Sequence, residues 1–229
     1  MFIGHFGAGL ASKKVERAPS LGTLFMASQF IDLLWPVLLL FGLEKVIIEP
    51  GKSAFTPLNF IYYPFSHSLL GVLTWGLLFG LVYFLYSKNM RASVILGFLV
   101  LSHWILDLIT HIPDLPLAPG IDIKLGFGLW NSVILTIIVE GAIFITGAYL
   151  YMSATKSKNK KGNIGLWGLL VLLGGIYVMN IFSAPPPDEQ AIGVIGLLQW
   201  LFIALGYWVD RNRIVKGEEK SQKDIITVE

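Results

Sequence analysis

Six long apolar stretches decide what this chain can fold into. They lie near residues 20–43, 66–87, 92–112, 129–153, 163–183 and 191–210. Each is close to or above the roughly 20 residues that a helix needs to cross the hydrocarbon of a bilayer. Inside lipid every backbone N–H and C=O must be satisfied within the protein, so stretches of this kind fold as helices. The expected fold is an all-α integral membrane protein, a bundle of about six transmembrane helices. Residues 1–210 make one transmembrane domain, and residues 211–229 a polar tail. Residues 1–12 are apolar but about half the spanning length, which suits a short interfacial or re-entrant N-terminal helix. They lack a basic residue ahead of the apolar part and a cleavage site, so no removable signal peptide is expected.

The basic residues set the orientation. Of the 17 Lys and Arg, 14 fall in the N-terminal arm (Lys13, Lys14, Arg17), the loop at Lys88 and Arg91, the loop from Lys156 to Lys161, and the tail. Only Lys45, Lys52 and Lys124 fall on the other side. By the positive-inside rule both termini are expected in the cytoplasm. Segments 44–65, 113–128 and 184–190 are then the outer loops, the last holding the stiff turn "APPPDEQ". A net charge of +2 gives no reason to expect a nucleic-acid partner. The chain has no cysteine, which excludes disulfides and thiolate metal ligands.

Ionisable side chains within such spans are costly, by about 3 kcal/mol or more each, and are therefore candidates for function. The third span ends in "LSHWILDLITHIPD". Its His103, Asp107 and His111 recur every four residues and share one helix face. A His-x3-Asp-x3-His face presents two imidazoles and a carboxylate to one metal ion. Pro113 should end the helix near Ile112, letting Asp114 turn back towards His111. His67 lies in "YPFSHSLL", with Ser66 expected as N-cap of the second span and backbone N–H groups there able to hold a phosphate or carboxylate. Asp32 lies mid-span in "ASQFIDLLWPV", and Pro36 deprives its carbonyl of the usual helical donor. Glu140 lies mid-span in the fourth helix, as a second carboxylate of the cavity or as a partner for another helix. His5 joins the group if residues 1–12 dip into the membrane. In straight helices Asp32, His103 and Asp107 lie about 16 to 22 Å from the inner ends, and His67 and His111 about 28 to 30 Å. One ion cannot touch all of these in ideal straight helices: either two ions bind, or some of the groups only support the ligands, or the helices tilt.

The stretches "GHFGAGLA", "ASQFIDLLWP", "YPFSHSLL", "LSHWILDLITHIPDLPLAPG" and "FGLWNS" resemble a bacterial multi-pass membrane family. That family is similar to the predicted membrane-bound metal-dependent hydrolases, and some members carry the label permease. The likeness runs from residue 1 to about 210, and the long "IPDLPLAPG" loop is its main departure. It implies residence in the bacterial inner membrane and functional positions at His5, His67, His103, Asp107 and His111. Asp32 and Glu140 rest on their place in the spans alone.

Together these features lead to expectations of a divalent metal, Zn²⁺ by its ligand preference, held by His67, His103, Asp107 and His111 with His5 as a further ligand. Asp32, Asp114 and Glu140 are the candidate acid-base or orienting carboxylates. Metal-assisted hydrolysis of an ester or phosphoester in a lipid-like substrate, reached from the membrane, is the leading function. A transporter using the same groups as a proton or cation relay is the alternative, as is a non-catalytic structural metal site. No repeated halves favour transport, and no G-x-S-x-G nucleophile motif is present.

Overall fold

The computed structural model describes residues 1–217; the remaining residues of the tail, 218–229, lie outside the described part. The expected helical bundle is what forms. Among the described residues, five helical stretches are long and apolar enough to cross a membrane, the fifth running from Glu189 to Arg211, and the count becomes six if one bent pair is a single span.

Helix α1 (Ile3–Val15) is followed by α2 (Leu21–Ser28) and α3 (Phe30–Leu40). A hairpin of β1 (Lys45–Ile48) and β2 (Leu58–Tyr62) leads to the one-turn α4 (Pro64–His67) and the long α5 (Leu69–Ser87). Helix α6 (Met90–Thr110) precedes a short hairpin of β3 (Leu115–Pro116) and β4 (Lys124–Leu125). Then come α7 (Val133–Ala154), β5 (Thr155–Ser157), α8 (Lys160–Phe182), α9 (Glu189–Gly196), α10 (Gln199–Arg211) and β6 (Arg213–Val215). Four long helices start on a polar cap that accepts a backbone N–H three residues on: Ser68 for α5, Asn89 for α6, Ser132 for α7 and Asn159 for α8. The cap of the second span is therefore Ser68 and not Ser66.

The basic segments gather at one end. Arg91 reaches the carbonyl of Val15 and pairs with Glu16, while Lys13 pairs with Asp210. β5 and β6 pair there antiparallel, so the first part of the tail is structured. The other end holds the β1–β2 and β3–β4 hairpins, tied to the helices through Phe55 N to Trp130 O and Leu70 N to Leu117 O.

Two departures from straight geometry matter for the site. The first span breaks by 56° between α2 and α3, at Gln29. Pro36, a residue that commonly kinks a helix, lies away from this break, inside α3. The freed carbonyl of Asp32 is met by Nε2 of Gln199 at 3.4 Å, so a neighbouring helix offsets the lost bond. Second, α1 lies inside the bundle. Its residues from Ile3 to Phe6 are buried, and it packs against α7 backbone to backbone at Gly7 and Gly147. A methyl group built on Gly7 would lie 2.7 Å from the carbonyl oxygen of Ile143, so only glycine allows this approach.

Candidate metal centre

The start of α1, the one-turn α4 and α6 itself bring groups to Asp107, and α3 adds Asp32 beside them. Its Oδ2 lies 3.2 Å from His103 Nε2 and 4.0 Å from His67 Nε2. Its Oδ1 lies 3.0 Å from His5 Nε2, 4.0 Å from His111 Nε2 and 2.7 Å from the Met1 amine. Asp32 Oδ1 lies 3.5 Å from both His67 Nε2 and His103 Nε2. All four histidines, Asp107 and Asp114 are buried, and Asp32 is the open member at 19% side-chain exposure.

The depth conflict is removed by the two departures from straight helices and by α4. His67 does not sit at the end of a straight α5; it occupies a separate turn that folds in beside the broken first span. The α6 helix ends at Thr110, with His111 as its extended C-cap, its N–H still bonded to the carbonyl of Asp107.

The tautomers follow from the hydrogen bonds on the far side of each ring. His103 Nδ1 is 2.9 Å from the carbonyl of Ser28. A carbonyl only accepts, so Nδ1 carries the proton. Ser66 Oγ donates to Glu44 Oε2 at 2.6 Å and lies 2.7 Å from His67 Nδ1. With its proton committed to the carboxylate, Ser66 accepts from His67, so that Nδ1 also carries the proton. His111 Nδ1 donates to Asp114 Oδ1 at 2.8 Å, which also accepts from the Tyr63 hydroxyl at 2.9 Å. Burial and the nearby Asp114 carboxylate raise the Tyr63 phenol well above its ordinary pKa and keep it a donor. Three imidazoles are thus anchored through Nδ1, leaving Nε2 turned towards carboxylate oxygens. This is the arrangement by which outer partners hold metal-binding histidines.

The donor set can be tested against a metal. Ligand bonds near 2.0–2.1 Å in a tetrahedron put donor atoms about 3.3 Å apart. The four histidine-to-carboxylate separations among His67, His103, Asp32 Oδ1 and Asp107 Oδ2 are 3.2, 3.5, 3.5 and 4.0 Å. His103 Nε2 is buried and has no hydrogen-bond partner, although two carboxylate oxygens face it. A lone pair facing two anions in a dry interior is unfavourable unless a cation lies between them. Asp32, His67 and His103 offer donor atoms within 4.8 Å of one another, and so do His5, His103 and Asp107. The first group suits an ion better. Its rings are anchored through Nδ1, whereas His5 Nδ1 is buried without a partner and Asp107 Oδ1 already meets the Met1 amine.

The remaining expected residues surround this set. Asp114 approaches His111 as its sequence position suggested. His5 stacks on His103 with ring centroids 3.6 Å apart. Glu140 accepts from the backbone N–H groups of Phe2 and Gly4, fixing the start of α1 and acting as a partner for another helix. Trp130 covers His111 at 4.0 Å. Sequence reasoning missed Glu44, which follows the first span as a lone acid in "FGLEK" with no periodic signal. Its buried carboxylate takes the N–H groups of Phe65 and Ser66, each at 2.8 Å. The backbone site expected to hold a phosphate or carboxylate near Ser66 is filled by this side chain.

Comparisons with curated proteins and with solved structures gave no match. A family model does match, over residues 53–184, a range that carries His67, His103, Asp107, His111, Asp114 and Glu140. That range covers more than half of the chain and the hub of the polar cluster, and the chain belongs to the YdjM inner membrane protein family.

Proposed function

We propose that this protein is a membrane-embedded, metal-dependent hydrolase acting on an ester or phosphoester of a lipid-like substrate. His67, His103, Asp32 and Asp107 hold the ion, and two imidazoles with two carboxylates suit Zn²⁺. When bound, a divalent ion supplies Lewis acidity, polarising the scissile group and lowering the pKa of water to about 7. The orphaned, buried Nε2 of His103 between two carboxylates carries this reading. Ser66, the Ser28 carbonyl and Asp114 hold the rings in the Nδ1–H tautomer. In this reading Asp32, the most open of these carboxylates, meets the ion through Oδ1 and takes a proton from an incoming water with its other oxygen.

Gathering of the basic loops at one end supports termini in the cytoplasm, with His111 and Asp114 towards the outer surface. A lipid-like substrate then reaches the site from the membrane. The relay alternative would have His103 doubly protonated and donating from Nε2 to Asp32 or Asp107. The contacts of that atom, 3.5 Å to Asp32 and 3.2 Å to Asp107, are the ones a relay would use, and a flux measurement separates the two readings.

The test is the metal content of purified protein by mass spectrometry, with hydrolysis of phospholipids, lysolipids and isoprenoid phosphates followed in detergent. Wild type should retain a divalent ion that a strong chelator removes, and His103→Ala should lose it. Metal-free wild type, or full occupancy in His103→Ala, refutes the metal reading. Ion-bound protein that moves protons or cations across vesicles but cleaves nothing refutes the hydrolase.

A further inference from the structure

Residues 121–127, which contain strand β4, have an unusual outer edge. The side chains of Ile121, Ile123, Leu125 and Phe127 are 48%, 51%, 36% and 77% exposed. They alternate with Asp122 and Lys124, so along an extended chain the apolar and charged groups point to opposite sides. A loop standing free in water has no use for such an edge.

The segment does not stand free. Phe127 N–H bonds to the carbonyl of Leu108 at 2.8 Å, and Gly128 N–H to that of His111 at 2.7 Å. Leu108 lies two residues before the end of α6, about 3 Å back into the span. Gly126 presses its backbone against the carbonyls of His111 and Ile112, where a Cβ would collide. Leu117 receives the Leu70 N–H of the first turn of α5 and itself donates to Ile123 O at 3.2 Å. Phe65, 42% exposed, is held in the same way. Its carbonyl accepts from Trp75 Nε1 at 2.9 Å, and Trp75 lies about 9 Å along α5 from Leu69. Both exposed aromatic residues are thus tied to backbone or side chains inside the lipid-crossing helices.

We propose that residues 121–127, together with Phe65, are inserted into the bilayer interface at the non-basic end, with the apolar edge among acyl chains. Asp122 and Lys124 then lie among headgroups and water. Leu117 links Ile123 to Leu70 through backbone hydrogen bonds, and Leu70 and Leu73 of the lipid-crossing α5 are themselves exposed, which favours lipid over a second copy as the cover of this edge. The bond from Gly128 to His111 brings this lipid-contacting segment to the edge of the polar cluster. The inference depends on the membrane fold alone and stands whether or not the site hydrolyses anything.

The chain has no native cysteine, so Ile123→Cys and Phe127→Cys each introduce a single thiol for a bimane label. Labelled full-length protein is reconstituted in phosphatidylcholine and phosphatidylglycerol vesicles, some with lipid brominated high on the acyl chain. Both labels should lose most of their emission to brominated lipid and little to aqueous iodide, and a label at Asp122→Cys should behave in the opposite way. Iodide quenching at residues 123 and 127 without quenching by lipid overturns the proposal. Protection from both quenchers, with disulfide-linked dimers on oxidation of the unlabelled variants, overturns it in favour of a second copy. Ile121→Cys serves the same test if the Phe127 variant does not fold.

Discussion

Ser66→Ala isolates the link between a buried carboxylate and one proposed ligand. The hydroxyl joins Glu44 Oε2 at 2.6 Å to His67 Nδ1 at 2.7 Å. Its removal leaves a buried donor and a buried acceptor unpaired, each costing about 1–3 kcal/mol. Glu44 Oε1 still binds the Phe65 and Ser66 N–H groups, so the local chain path is kept. The His67 ring, however, loses what fixes its tautomer and tilt. Loss of such an outer partner weakens metal binding about 10- to 100-fold, or roughly 1.4 to 2.7 kcal/mol. Competition for Zn²⁺ against a chromogenic chelator in detergent measures this directly. Ser66→Thr keeps the hydroxyl and should restore affinity, whereas a merely destabilised fold would not be rescued in this selective way. Equal Zn²⁺ affinity in wild type and Ser66→Ala, with the wild type shown to bind, would refute the claim that Ser66 positions His67.

Asp32→Asn keeps the shape but removes the charge and the base; turnover should fall to background and ion affinity should drop, as the same chelator competition and a lipid panel will show. Gly147→Leu should force α1 off α7 and cost at least about 1–3 kcal/mol, visible as a lower midpoint in thermal unfolding followed by circular dichroism. Reporter fusions at residues 88–91 and 156–161 should give a cytoplasmic signal and a fusion at residue 55 an external one; a cytoplasmic signal at residue 55 reverses the orientation.

The spans were legible because hydropathy is additive along the chain and a bilayer demands a fixed length of it. The His103, Asp107 and His111 spacing was legible for the related reason that one helix face repeats every three to four residues. What lay beyond such local rules came from contacts between distant segments. The first span shows it best: Pro36 would mark a bend, yet the bend is at Gln29, and α9 packs on α3 around Pro36 with Gly196 close to its ring, while Gln199 of α10 meets the Asp32 carbonyl. His67 appeared too high because nothing in "YPFSHSLL" separates a one-turn α4 from the start of α5. Ser66 looked like a cap from its place before an apolar run, whereas Glu44, 22 residues earlier, claims it. The burial of α1 follows from Gly7 meeting Gly147, and two glycines 140 positions apart carry no pairwise signal in a single sequence.

The contact between His103 and Ser28 uses a group that every residue possesses. Because Nδ1 is held by the carbonyl and not by the hydroxyl, the identity of the side chain at position 28 is free with respect to this ring. A substitution scan would therefore score position 28 by how well each side chain packs near Gly9, and would be silent about histidine geometry. Only a change to the backbone itself reaches that anchor: an amide-to-ester replacement between residues 28 and 29 weakens the acceptor, and a straightened break at Gln29 carries it away. The bend in one span and the proton on a ring in another are then a single variable, and whatever moves the one must also release the other.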